Sequence, residues 1–386
     1  MKALSIYAGP RAYAHIRRHG LRPQDVGVIP GAAGGPKGLM LGALDRFIFG
    51  DWLAGSQHEV HLVGASIGAW RMATACLRDP VSAFERFEHD YLHQHFELQP
   101  GQKRPTADFV SARFGQSLQD FFGGRVREVL AHPRYRLHLV TSRGRHLLRQ
   151  ENAWRTPLGY LGAFATNAVS RRAMGAWLER VVFSSDASAG AAGARATLPF
   201  AVKDYRTRQL SLTEANFMDA LQASCSIPFV LRAVASIAGA PAGAYWDGGI
   251  TDYHLHLDYA RAASAPHLEC SDVLRDVEEE SPKLVLYPHF QRTVVPGWLD
   301  KGLPWRHRAT RFLDTTVLLV PRPDWVKTLP NGKLPDRSDF THYGNDLAGR
   351  VKAWRGAICA SQQLADEFEA WLDSYGRDAG AELNRL

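Results

Sequence analysis

Apolar and polar positions along the 386 residues fall into short blocks that switch between strand and helix periods. Asp25-Val26-Gly27-Val28-Ile29-Pro30 reads as a short buried strand that ends at the loop Gly31-Ala32-Ala33-Gly34-Gly35. Leu39, Met40, Ala43, Leu44, Phe47 and Ile48 then recur at helical spacing, with Pro36 suited to the first turn. Glu59 to Val63 predicts the next strand, and a helix over 67–77 follows it directly. Residues 80–130 read as helices punctuated by Phe84, Phe87, Tyr91, Phe96, Phe109, Phe114, Phe121 and Phe122, best explained as core packing. Strand patterns recur at 136–141, 181–183, 199–202 and 209–212. Thr213 is placed to cap a helix running to about Ser224, which Pro228 closes. Beyond it, 284–287 and 317–320 look like buried strands, and 345–374 like one long amphipathic helix. Strands alternating with helices predict an α/β fold with a mainly parallel central sheet between helical layers.

Composition narrows this picture. Apolar residues make up 45% of the chain, ample for a full core, and no internal repeat is visible. The expected division is a catalytic core over 1–262 and an extension over 263–386 packed on the same domain. The first eight residues lack a secretory hydrophobic stretch. Leu158 to Val169 is too short to cross a bilayer and is expected to be a small-residue helix packed inside the protein. Cys76, Cys225, Cys270 and Cys359 are widely separated, which fits a reduced, cytoplasmic setting. His254 and His256 would share one face of a strand, but a satisfied pair explains them better than a metal site does. No metal and no organic cofactor is expected. The net charge of +7 favours anionic surfaces, lipid headgroups included, and no nucleic-acid partner is expected.

Three short motifs carry the chemistry. Gly64-Ala65-Ser66-Ile67-Gly68 is a G-x-S-x-G elbow, which sets a serine hydroxyl on a tight turn between strand and helix. The pattern alone is weak, but here it sits in the strand-turn-helix context it requires. Gly34-Gly35-Pro36-Lys37-Gly38 opens a helix upstream, where free amides of Gly34, Gly35, Lys37 and Gly38 could hold an oxyanion; Pro36 cannot donate. It is not a phosphate-binding P-loop, because Gly38 stands where a magnesium-holding hydroxyl is needed. Asp247-Gly248-Gly249 offers a carboxylate on a close turn. Together they describe a serine acyl hydrolase.

In these motifs and their order, and in Ala223-Ser224-Cys225-Ser226-Ile227-Pro228-Phe229, the chain resembles the patatin-like phospholipase family over roughly residues 1–260. The resemblance implies a three-layer α/β/α hydrolase without metal or cofactor. It implies a Ser-Asp dyad with Ser66 as nucleophile and Asp247 as base, acting on carboxylic esters of glycerolipids. Two positions depart from the family's loop: Ala33 stands where its first glycine would be, and Pro36 fills the variable position.

Two other readings remain open on the residues. One is an α/β-hydrolase triad completed by His254, His256, His289 or His342. The other is a lipid- or acyl-binding protein with an inactive elbow, motivated by Ala33 and Pro36. The segment Trp298–Arg311, with Trp298, Lys301, Leu303, Trp305, Arg306, Arg308 and Arg311, suits peripheral contact with an anionic membrane. A basic surface loop with partly buried tryptophans is the simpler explanation and is preferred.

Overall fold

The computed structural model describes residues 1–96, 105–186, 196–260, 283–374 and 382–386; the acidic run over 271–280 and Cys270 lie outside them. Ten strands join one sheet: β1 (Leu4–Ala8), β2 (Val26–Gly31), β3 (Val60–Ala65), β4 (Tyr135–Gly144), β5 (Leu178–Ser184), β6 (Thr207–Ser211), β7 (Tyr245–Asp247), β8 (Leu284–Pro288), β9 (Thr316–Pro321) and β10 (Asn384–Arg385). Their order is β10-β1-β9-β8-β2-β3-β4-β5-β6, with β7 added on β4. The five central strands β9, β8, β2, β3 and β4 run parallel. They meet antiparallel neighbours in β1 on one side and β5 on the other. Strands β2, β8 and β9 are buried along their whole length, as continuous apolar runs covered on both faces should be.

Side chains alternate across the sheet and enter different clusters of the core. Val60 and Leu62 of β3 enter the larger cluster, while Val63 and Ala65 enter a second one with Tyr253, Leu255 and Leu257. The larger cluster holds helices Ile67–Ala75, Pro80–His93 and Ala107–Phe122, where the Trp70 ring meets Phe87, Phe114 and Phe121 edge-on at 5.2, 5.4 and 5.8 Å. Helices thus flank a mainly parallel sheet, a three-layer α/β/α arrangement. Strands β8 and β9 lie inside this sheet, with β8 directly beside β2.

Several elements differ from the pattern-based expectation. The 199–202 strand is not formed; it is reduced to one bridge between Ala201 and Asp258, since Pro199 has no amide to contribute to a ladder. The helix expected from Thr213 starts at Phe217, because the Asn216 side chain accepts the Thr213 amide at 2.8 Å and holds a turn first. The long C-terminal helix is two, Leu347–Ala360 and Gln362–Ser374, parted at Ser361, whose hydroxyl bonds back to the Ile358 carbonyl at 2.7 Å. The stretch 158–169 is indeed helical, within Arg155–Val169, but it is not packed inside. Only Thr156, Gly159, Tyr160, Ala163 and Asn167 are buried, and its other side faces solvent.

Candidate active site

Strand β4 brings the serine and the aspartate together through register. On one flank of β4, Ala65 at the end of β3 pairs with Val140. Asp247 at the end of β7 pairs with the very next residue, Thr141. β7 therefore continues the line of β3 from the opposite direction, and Ser66 meets Asp247 where the two strands abut. The Ser66 hydroxyl donates to Asp247 Oδ2 at 2.6 Å, and both residues are buried. The Gly249 amide donates to the other carboxylate oxygen at 2.7 Å, which fixes the plane of the carboxylate.

The elbow is as tight as its sequence predicts. Ser66 sits at φ 56° and ψ −129°, a region that non-glycine residues rarely occupy. The helix Ile67–Ala75 can start there because Gly64 and Gly68 let backbones touch: a Cβ on Gly68 would collide with the Gly31 carbonyl at the end of β2. The same contact draws the elbow against the glycine-rich loop. Ser224 completes the frame. It accepts the Ser66 amide at 3.1 Å and donates to the Val140 carbonyl at 2.7 Å, while its own carbonyl receives the Gly248 amide at 3.1 Å. Ser226 takes the Asp247 amide at 2.9 Å. The Ala223–Phe229 block thus positions both members of the pair; the sequence signalled the block but not the job of each serine.

The loop beside the pair enters a 3-10 helix, Gly35–Leu41, with Gly34 as its cap. In that helix type each amide bonds three residues back, so Lys37 and Gly38 direct theirs to the carbonyls of Gly34 and Gly35. The amides of Gly34 and Gly35 precede that ladder and have no partner within the helix. Gly35 stands at φ 58°, and a Cβ on Gly34 would lie 2.6 Å from the Phe290 ring. The Ala33 amide is already given to the Tyr253 carbonyl at 2.9 Å. The departure at Ala33 therefore removes no donor.

Ala33, Ile227, Pro228, Asp247, Gly249, Ile250, Tyr253, Trp298 and Arg337 line a pocket at Asp247, the hydrogen-bond partner of Ser66. It encloses about 20 Å³, room for roughly one water. Burial pushes the Asp247 carboxyl above the usual carboxylate range; the Ser66 hydroxyl, the Arg337 guanidinium, the Gly249 amide and Lys301 oppose that rise. Arg337 packs on the loop, its Nε 3.1 Å from where a Gly35 Cβ would be. Lys301 stands 3.9 Å from the centre of the Tyr253 ring, and loss of solvent together with Arg337 and Lys37 pulls its ammonium down to about 8. Lys37 lies 5.3 Å from the centre of the Phe290 ring and is likewise lowered by burial. Among the described residues none of these three cations has a carboxylate within 4.0 Å. Sequence reasoning missed Arg337, since nothing local marks an arginine nearly a hundred residues after the aspartate.

The four candidate histidines have other partners. The Val295 amide donates to His254 Nδ1 at 2.9 Å, and the Gln291 amide to His289 Nδ1 at 3.1 Å. His256 pairs with the Thr310 hydroxyl at 2.9 Å, and the His342 ring meets Tyr343. None of their recorded bonds reaches Ser66 or Asp247. His254 and His256 do not share a strand face; Leu255 between them turns at φ 46°. Among the described residues no group of three potential ligands could hold a metal.

The Trp298–Arg311 segment divides. Trp298 lines the pocket, Leu303 is buried, and Asp300 anchors the turn by accepting from Asn167 at 2.7 Å and from Arg306 at 3.1 Å. Trp305 remains 61% exposed. Trp298 thus puts one end of the segment in the pocket wall, while Trp305 stands on the surface.

A serine hydroxyl bonded to a buried carboxylate on an elbow, beside a loop with two open amides, is an arrangement of the serine acyl hydrolase class. The family model for patatin-like phospholipases matches residues 32–255, more than half of the chain, and the chain belongs to that family. No curated protein matches it. Membership makes it a hydrolase of lipid esters in general. No described helix is long and apolar enough to cross a membrane.

Proposed function

We propose that the protein cleaves carboxylic esters of glycerolipids, phospholipids among them, through an acyl-enzyme formed by a Ser66–Asp247 dyad. Ser66 Oγ attacks the ester carbonyl carbon while Asp247 Oδ2 takes its proton, and the Gly34 and Gly35 amides receive the negative charge on the carbonyl oxygen. Collapse breaks the ester C–O bond, and the departing alkoxide takes the proton back from Asp247. Water then attacks acyl-Ser66 with Asp247 as base, and a fatty acid leaves. A carboxylate is a weak base toward a serine hydroxyl, so proton transfer must accompany C–O bond formation. Burial of Asp247 narrows the mismatch.

The buried 2.6 Å bond between Ser66 and Asp247 carries this reading, because the hydroxyl already points its proton at the base without an intervening imidazole. Arg337, Lys301 and Lys37 supply positive potential at the pocket and suit a phosphate-bearing substrate. We place the enzyme in the cytoplasm, meeting lipid by reversible contact through a surface that includes Trp305. The test is a lipid panel with products read by mass spectrometry. Free fatty acid should appear with wild type and with alanine at His254, His256, His289 and His342 in turn, where those variants fold. It should vanish with Ser66→Ala and Asp247→Asn. Loss of several orders of magnitude at one folded histidine variant would replace the dyad by a triad.

A further inference from the structure

The helix Arg155–Val169 is apolar on the side that faces water. Leu158 is 48% exposed, Leu161 63%, Phe164 41% and Val169 87%, and Trp154 just before the helix 60%. No carboxylate occurs between Trp154 and Val169. A solvent-facing helix normally carries its charges on that side, and a continuous apolar face marks a surface that another body covers.

The face adjoins the candidate active site. Tyr160, on the inner side of the same helix, packs against Trp246 at 6.1 Å between ring centres, one residue from Asp247. It also packs against Phe229 at 6.0 Å. Phe229 is 61% exposed and Val230 46%, directly after Ile227 and Pro228 of the pocket wall. Asn167 and Asp300 join the helix to the Trp298 turn that forms another wall, and exposed Trp305 follows that turn. Just past the C-terminal end of the helix, Arg172 joins Arg145, His146, Lys203 and Arg206 in lining a basic groove.

We propose that this face, Trp154 to Val169 with Phe229, Val230 and Trp305, is the surface by which the protein docks on a lipid aggregate bearing anionic headgroups. Three observations favour lipid over a protein partner. Through Tyr160 and Phe229 the face is continuous with Ile227 and Pro228 of the pocket wall, where a bulky protein would obstruct entry and a lipid layer would present the ester. The helix has no acid, and its flank is basic, which complements an anionic surface. Tryptophan and phenylalanine among leucines, with arginine beside them, is the composition that settles at the headgroup boundary. The proposal rests on the lipid-ester reading only for the direction of the face; docking itself requires no chemistry.

Docking is therefore read with Ser66→Ala protein, so that a failure of hydrolysis and a failure of docking are separate results. Flotation with phosphatidylcholine vesicles containing phosphatidylglycerol should recover the protein. The double variant Leu158→Glu/Leu161→Glu should lower recovery by roughly tenfold or more, because it places two carboxylates in the docked face. With Ser66 intact, that double variant should hydrolyse p-nitrophenyl butyrate within about twofold of the wild-type rate, since neither side chain lines the pocket. Should the double variant not fold, an environment-sensitive fluorophore at Leu161→Cys, in a Cys270→Ser/Cys359→Ser background, replaces it. Its emission should shift to the blue on adding the vesicles, and the same label at Val81→Cys, exposed on another helix, should not shift. No vesicle recovery of the parent protein would overturn the proposal. So would equal recovery of a folded double variant, an unshifted label at position 161, or a wild-type dimer that the double variant abolishes without any vesicle binding.

Discussion

The floor and the rim of the Ser66 pocket are built on opposite principles. On the floor, backbones touch: β3 and β7 abut along β4, Gly68 rests on Gly31, and Ser66, Ser224, Asp247 and Gly249 are joined by hydrogen bonds. Around the rim, which here includes the surface that reaches the pocket wall through Tyr160 and Phe229, side chains of Trp154, Leu158, Leu161, Phe229 and Trp305 stand in solvent. The floor's geometry is over-determined, so a small change there should be felt strongly. The rim is a surface property, so change there should alter where the protein goes and spare the chemistry. The contrast is that between positioning a reacting atom and meeting a substrate that lives in an aggregate.

The largest effects are expected at the pair. Ser66→Ala and Asp247→Asn should each lower kcat/KM by about 10⁴-fold or more while the circular dichroism spectrum is unchanged. Next comes the loop. Gly34→Ala pushes a methyl into Phe290 and displaces an amide donor, with an expected loss of about 10²- to 10³-fold in kcat. An unaffected rate would mean that Gly34 does not face the oxyanion.

Arg337 lies between floor and rim, and its contribution is electrostatic. Asp247 must be ionised to act as base, so activity is lost as pH falls through its raised pKa. The Arg337 charge favours the carboxylate. Arg337→Gln should therefore raise that pKa further and move the acid limb of kcat/KM to higher pH, by less than about one unit because the guanidinium is exposed. Arg337→Lys should restore the wild-type limb. An immobile limb in the glutamine variant would leave Arg337 with no influence on the base.

The smallest effect is a gain. Holding Ser66 at φ 56° costs on the order of 1–3 kcal/mol, a strain that alanine keeps and glycine relieves. Ser66→Gly should unfold at higher urea concentration than Ser66→Ala. The reverse order would mean that the elbow stores no strain.

Most of the floor was legible in the sequence because it depends on residue types that only a few geometries use. A serine between glycines after a buried strand, a glycine pair opening a helix and Asp-Gly-Gly all found their expected neighbours. What pattern could not give was register. That Asp247 pairs one residue beyond Ala65's partner on β4 is a long-range fact, as is Arg337 reaching the loop. Nor could pattern show that the loop enters a 3-10 helix at once, which turns the amides of Lys37 and Gly38 along the helix. The helix at 158–169 departs from expectation for a plain reason: apolarity predicts burial, and composition alone does not show that one side of this helix is left exposed. The bulk expectation of a mainly parallel sheet survived because alternating strands and helices leave little choice.

The central claim is that Ser66 becomes acylated with Asp247 as its base, and intact-protein mass spectrometry after a fluorophosphonate probe tests it most directly. The account predicts one adduct per chain, located on the peptide that contains Ser66. It predicts none on Ser66→Ala, and labelling of Asp247→Asn slowed by orders of magnitude. An adduct that persists in a folded Ser66→Ala protein, or labelling of Asp247→Asn at the wild-type rate, would contradict it.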